Sequence, residues 1–105
     1  EDFTHGATLV YNQEEAFKDA DFIYVKNWSS YKDYGAILPV EGEWMPTLES
    51  LKITNDAKVM HCLPVRRDLE LGSDILDSEK SLVVKEAGNR VWAAQVVIKR
   101  ILENN

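Results

Sequence analysis

One stretch of this 105-residue chain concentrates ionic and reactive side chains: MHCLPVRR, residues 60–67. There a histidine, the single cysteine, a proline and two arginines follow an apolar run. Two other segments place cations behind apolar runs: KNW, residues 26–28, and KEAGNR, residues 85–90. Arginine suits phosphate and carboxylate because its planar fork donates two parallel hydrogen bonds. Lys26, Arg66, Arg67 and Arg90, brought to one edge, would hold a small, multiply anionic molecule. Taken singly, each is equally an ordinary solvent-facing cation, since exposed ion pairs contribute little.

His61 and Cys62 do not read as a metal site. Neighbouring strand residues point to opposite faces, so the two cannot readily ligate one ion. His5 is the only other histidine, and no CxxC or HExxH spacing occurs. The same geometry argues against a Cys–His dyad, whose partners ordinarily meet across a fold. Cys62 alone also fits a small buried hydrophobe. Pro64 leaves the Cys62 and Leu63 carbonyls without strand partners, and such carbonyls accept from an amide or ammonium group.

The elements that must position these groups follow from pattern. Residues 7–11, ATLVY, read as a strand. Asn12 and Glu15 have capping-box spacing ahead of a short helix over residues 13–19. Residues 22–26 form a near-continuous apolar strand, as expected of a parallel strand covered on both faces. Residues 27–56 are irregular, with a helical turn over 47–51, and hold Trp28, Tyr31, Tyr34 and Trp44. Residues 57–63 predict a third strand ending at Pro64. Ser73 would cap a helix over 74–79, SLVVKEA would be a fourth strand, and the last helix would bury Val91, Ala94, Ile98, Ile101 and Leu102. The order β-α-β-loop-β-α-β-α implies an α/β fold: a partial Rossmann-like parallel sheet of about four strands with covering helices. In such sheets ligands bind beyond the carboxyl ends of the strands, where KNW, HCLPVRR and KEAGNR all fall.

Composition narrows the partners. With 12 Lys+Arg against 18 Asp+Glu the net charge is −6, so a nucleic-acid surface is not expected. No apolar run approaches a membrane span of about 20 residues. A single cysteine fits a reducing, cytoplasmic setting. The acidic, polar start, without an initiating Met, has the look of a chain cut from something longer.

HCLPVRR followed by EAGNR resembles the ornithine-type carbamoyltransferases, which carry an HCLP signature and an arginine ahead of the final helix. FIYVKNW, ITND and the double arginine resemble the branch acting on N-acylated ornithine, with KNWSSYKDYGAIL closer to the N-succinyl than to the N-acetyl type. The resemblance covers nearly all of the chain. It implies the C-terminal part of an amino-acid-binding domain, residues 1–105, without the carbamoyl-phosphate domain and its STRT-type motif. It implies an enzyme of arginine biosynthesis, a homotrimer, that moves the carbamoyl group of carbamoyl phosphate to the δ-amine of N-succinyl- or N-acetyl-L-ornithine without metal or organic cofactor. By that resemblance Cys62 and Leu63 contact carbamoyl phosphate through main-chain groups. Arg90 holds its carbonyl oxygen, where it would stabilise the developing oxyanion. Cys62 and Arg90 are thus the catalytic candidates, and Lys26 and Arg66 bind substrate carboxylates. Enzymes for free ornithine carry an acidic DxxxSM-type motif near Lys26, and a cation there suits an acylated amine. Gly88 stands where that family often has Glu. The isolated chain is expected to be inactive. The alternatives are a non-catalytic module binding a small anion, or a carbamoyltransferase for ornithine, aspartate or putrescine.

Overall fold

The computed structural model describes residues 6–28, 32–33, 36 and 44–105. Asn12 starts the first helix, α1 (Gln13–Phe17), as its spacing with Glu15 predicts. Its side-chain oxygen accepts from the Glu15 N–H at 3.0 Å. The helix stops two residues short of the expected end because Lys18 turns extended and Asp19 enters the left-handed region at φ 59°. The Asp19 N–H then donates to the Ile53 carbonyl, which seats the chain for β1 (Phe22–Val25).

β1 pairs in parallel with β2 (Lys58–His61), in the register Phe22 with Lys58 through Val25 with His61. Ile23, Val25 and Val59 join Phe17, Leu51, Ala57, Leu71, Ile75 and Val83 in one apolar core. Only one face of β1 is covered: Phe22 and Tyr24 are exposed, against the expectation of burial on both sides.

The fold class holds, a mixed α/β chain with a small parallel sheet and a long last helix, but the strand count does not. The described residues form a two-stranded sheet rather than about four strands. Residues 7–11 form no regular element and are mostly exposed, with no ladder; strand propensity is a fit to a pleated, half-buried surface, and none is offered there. SLVVKEA yields a single parallel bridge, Val59 with Ser81. The Leu82 N–H donates to the Val59 carbonyl, and the chain coils at once into α3 (Val83–Glu103). An apolar pair such as Leu82–Val83, half-buried and buried, satisfies either element, and KEA favours the helix. KEAGNR therefore leaves no strand end; it forms the first turns of a helix of 21 residues, roughly 32 Å long.

Smaller differences have local causes. Ser73 does not cap α2 (Ser73–Leu76); Gly72 takes that position and Ser73 is the first helical residue. Asp68 supplies the cap instead, accepting from the Ser73 N–H at 2.7 Å and from its hydroxyl at 2.9 Å. The turn expected over 47–51 is a 3₁₀ helix at Ser50–Ile53. Tyr31 and Tyr34 lie outside the described residues. The expected apolar residues of α3 are not buried: residues 88–105 are all exposed, with Val91, Trp92, Ile98 and Leu102 among them.

Gly88 sits inside α3 rather than at its start, and a Cβ added there meets nothing within 4 Å. Glycine inside a helix costs about 0.5–1 kcal/mol relative to alanine. Gly88→Ala should therefore raise stability by about that amount, read as a higher midpoint in a urea titration of the chain.

Candidate functional site

Parallel pairing brings the carboxyl ends of β1 and β2 to one edge. Val25 faces His61 in the register, so Lys26 and Cys62, the next residue of each strand, leave the sheet at the same level. Both are exposed, as are Leu63, Arg66 and Arg90. Arg90 follows Glu86 by one helical turn, and residues four apart share a helix face. Glu86 itself reaches the strand edge: its Oε2 accepts from the His61 N–H at 3.1 Å. Through that bond the start of α3 is tied to the end of β2, and Arg90 follows one helical turn later.

After His61 the chain turns sharply. Leu63 adopts φ 56° and the Leu63–Pro64 peptide is cis. A leucine in the left-handed region is uncommon and is held there by its surroundings. Here the Leu63 N–H donates to His61 Nδ1 at 2.9 Å. The next residues fold back: the Arg66 N–H donates to Glu70 Oε2 at 3.1 Å, and the Arg66 guanidinium stands 4.0 Å from Glu70 Oε1.

Of the four cations, Arg67 is not part of this group. It makes a bidentate pair with Asp77 at 2.8 and 2.9 Å, clamping the segment before α2 to that helix's end. The pair holds the Asp77 carboxyl below the usual carboxylate range, and the two bonds from Ser73 do the same for Asp68. No ion pair with a described residue engages Lys26 or Arg90. Residue type alone does not separate Arg66 from Arg67, which only the family resemblance distinguishes, because the structural difference rests on a carboxylate ten residues downstream.

Beneath the edge lies a polar cluster that the sequence did not disclose. His61 and Glu70 are each 1% exposed, with His61 Nε2 at 3.6 Å from Glu70 Oε2. Their surroundings orient the Asn27 amide so that its nitrogen donates to Glu70 Oε2 at 3.1 Å and the Pro64 carbonyl at 3.2 Å. On the other side of the strands the Tyr24 hydroxyl bonds to Glu86, with Cys62 close by, and its pKa is pushed up to about 12. The available signals were weak ones: Glu70 lies four residues after Arg66, and Glu86 four before Arg90. Among the described residues no group of three or more His, Cys, Asp or Glu is arranged to hold a metal ion, and no helix is long and apolar enough to cross a membrane.

Burial pushes the His61 imidazolium down from the ordinary value of 6.5, against the opposing pull of Glu70 and Glu86. The unfolded chain then binds a proton that the folded chain refuses. The stability this group contributes is complete above pH 6.5 and falls as the pH drops from there towards the lower folded value. Thermal melts across that window should show the decline, and His61→Asn should flatten it; an equally steep decline in the variant would assign the effect to other groups.

The arrangement is thus a parallel sheet edge in an α/β fold, with main-chain groups on a tight turn, Lys26 and Arg66 exposed beside it and an arginine on the helix that follows, a set of groups whose chemistry suits an anionic small molecule. Residues 2–101 match the family model described as aspartate/ornithine carbamoyltransferase, Asp/Orn binding domain, and the chain belongs to that family of transferases. It is 45% identical over 104 residues to an N-succinylornithine carbamoyltransferase of Bacteroides fragilis, spanning 97% of this chain and 33% of that protein. Among solved structures it is similar to the ornithine carbamoyltransferase of Pyrococcus furiosus, with TM-score 0.71 and 31% identity, covering 89% of this chain and 32% of that one. An N-acetyl-L-ornithine transcarbamylase is also similar, with TM-score 0.66 and 26% identity over 81% of this chain and 28% of the other. The chain thus spans about a third of the length of the curated relatives it matches.

Proposed function

We propose that this chain supplies the amino-acid-binding side of a carbamoyltransferase acting on an N-acylated ornithine, N-succinyl-L-ornithine before N-acetyl-L-ornithine. The reaction joins the δ-amine to the carbamoyl carbon of carbamoyl phosphate and releases phosphate. The observation that carries the reading is the level placement of Lys26 beside Cys62 at the strand ends, with Arg66 two residues beyond the turn at Pro64. A carbamoyl group needs acceptors for its amide and a donor for its oxygen. The Cys62 and Leu63 carbonyls serve as acceptors, and the Arg90 guanidinium serves as donor. Its positive charge is worth most as the oxyanion forms. Lys26 and Arg66 take the substrate's carboxylates; an acylated α-nitrogen carries no charge, so a cation at Lys26 is not repelled. Catalysis is then orientation and electrostatics. The carbamoyl-phosphate-binding half, the trimeric assembly and a place in arginine biosynthesis come with this reading.

The test is a panel assay of the transferase that carries this domain, with carbamoyl phosphate and each of N-succinyl-L-ornithine, N-acetyl-L-ornithine and L-ornithine. The ureido product should form fastest from an acylated substrate. Lys26→Asp should lower kcat/KM for the acylated substrates about tenfold to a hundredfold, the loss of one charge-assisted contact plus a new repulsion, and shift preference towards ornithine. An unchanged ranking would remove Lys26 from the site.

A further inference from the structure

The ring of His61 faces more hydrogen-bond donors than it can accept. Leu63 N–H lies 2.9 Å from Nδ1, and the Asn27 amide nitrogen lies 2.9 Å from Nε2. A neutral imidazole has one acceptor nitrogen and an imidazolium has none. The donor inventory decides between them. Both Asn27 protons have other acceptors, Glu70 Oε2 and the Pro64 carbonyl. The Leu63 N–H has no other described acceptor, and an orphaned backbone donor is costly. The lone pair therefore belongs at Nδ1, and Nε2 carries the proton, facing the carboxylate of Glu70 at 3.6 Å.

We propose that His61 is a positioning residue, held in its Nε2–H tautomer by the buried Glu70 carboxylate so that Nδ1 fixes the Leu63 N–H and with it the turn of residues 62–64. Glu70 Oε2 also takes the Arg66 N–H and the Asn27 amide, so one oxygen ties the turn to the end of β1 next to Lys26. Both sides of the edge are set from one buried point. Glu70 Oε1 meets no hydrogen-bond partner among the described residues, and its nearest cation is the Arg66 guanidinium at 4.0 Å. The carboxylate thus keeps one oxygen free of hydrogen bonds from the described residues, beside the one that faces the ring. The proposal rests on the transferase reading only for what the turn presents; the arrangement of the ring does not depend on it.

The experiment is made on the 105-residue chain without ligand. Long-range ¹H–¹⁵N correlation spectra report which His61 nitrogen is protonated, and hydrogen exchange reports the Leu63 N–H. The wild-type ring should show Nε2 protonated and Nδ1 bare; a protonated Nδ1 overturns the proposal without any variant. Glu70→Gln lets an amide donate to Nε2. It should move the ring towards the Nδ1–H form and speed Leu63 exchange about tenfold, the order of one hydrogen bond lost, while β1–β2 amides keep their protection. Adding His61→Asn places a fixed acceptor where Nδ1 was, and should restore Leu63 protection. Unchanged exchange in Glu70→Gln, or no restoration in the double variant, overturns it as well. A transferase assay that fails leaves these spectra untouched, and the wrong tautomer leaves the transferase reading standing.

Discussion

Arg90→Ala is expected to lower kcat for carbamoyl transfer about 100- to 1,000-fold, the usual loss when one donor to a developing oxyanion is removed. The effect should fall on kcat more than on KM, because the proposed contact strengthens as the carbamoyl oxygen gains charge. The structure makes the arginine available for this role. It is exposed, it makes no ion pair with a described residue, and it lies one turn beyond Glu86, which is bonded to the end of β2. Arg90→Lys keeps the charge but loses the fork and should recover only part of the rate. Steady-state kinetics on the transferase that carries this domain separates the outcomes. A variant with normal kcat and raised KM would make Arg90 a binding residue only.

Leu71→Ala carries the largest expected cost in stability, about 2–5 kcal/mol. Leu71 is fully buried, and its backbone carbonyl accepts from the Asp68 N–H at 3.0 Å. It therefore packs the core from the segment that returns from the Cys62–Pro64 turn. Small domains hold only about 5–15 kcal/mol in all, so this single truncation removes a large share. Denaturant titration of both proteins measures it. A loss under about 1 kcal/mol would mean that the neighbouring side chains collapse into the space.

At three places a local rule and the structure agree, though not at Ser73, where Gly72 takes the cap position. The Asn12 cap, the apolar run of β1 and the strand ahead of Pro64 were legible because cap chemistry and short apolar runs act within a few residues. The fourth strand was not legible, since Leu82 and Val83 suit a strand or a buried helical turn, and the choice fell to their place against Val59. Residues 7–11 carry strand-like side chains without a strand to pair with. The site divides in the same way. Lys26, Arg66, Arg67 and Arg90 could be named because a cation behind an apolar run announces anion chemistry, whereas Cys62 and Leu63 were named by the family resemblance of HCLP. Glu70, Glu86 and Asn27 could not, because they matter through partners that only the fold brings near. The bond from His61 to Glu86 spans 25 positions.

The parallel register also governs how this chain comes together in time. Phe22 meets Lys58, 36 residues further along, so no tight turn can template the ladder. The two strands join only after a long segment has closed on itself, and contacts of that separation slow the search for the native state. The same logarithmic law makes the segment forgiving at equilibrium: doubling its length costs only about 0.6 kcal/mol. The connection between the two strands can therefore lengthen or shorten at little thermodynamic expense but with a toll on folding rate.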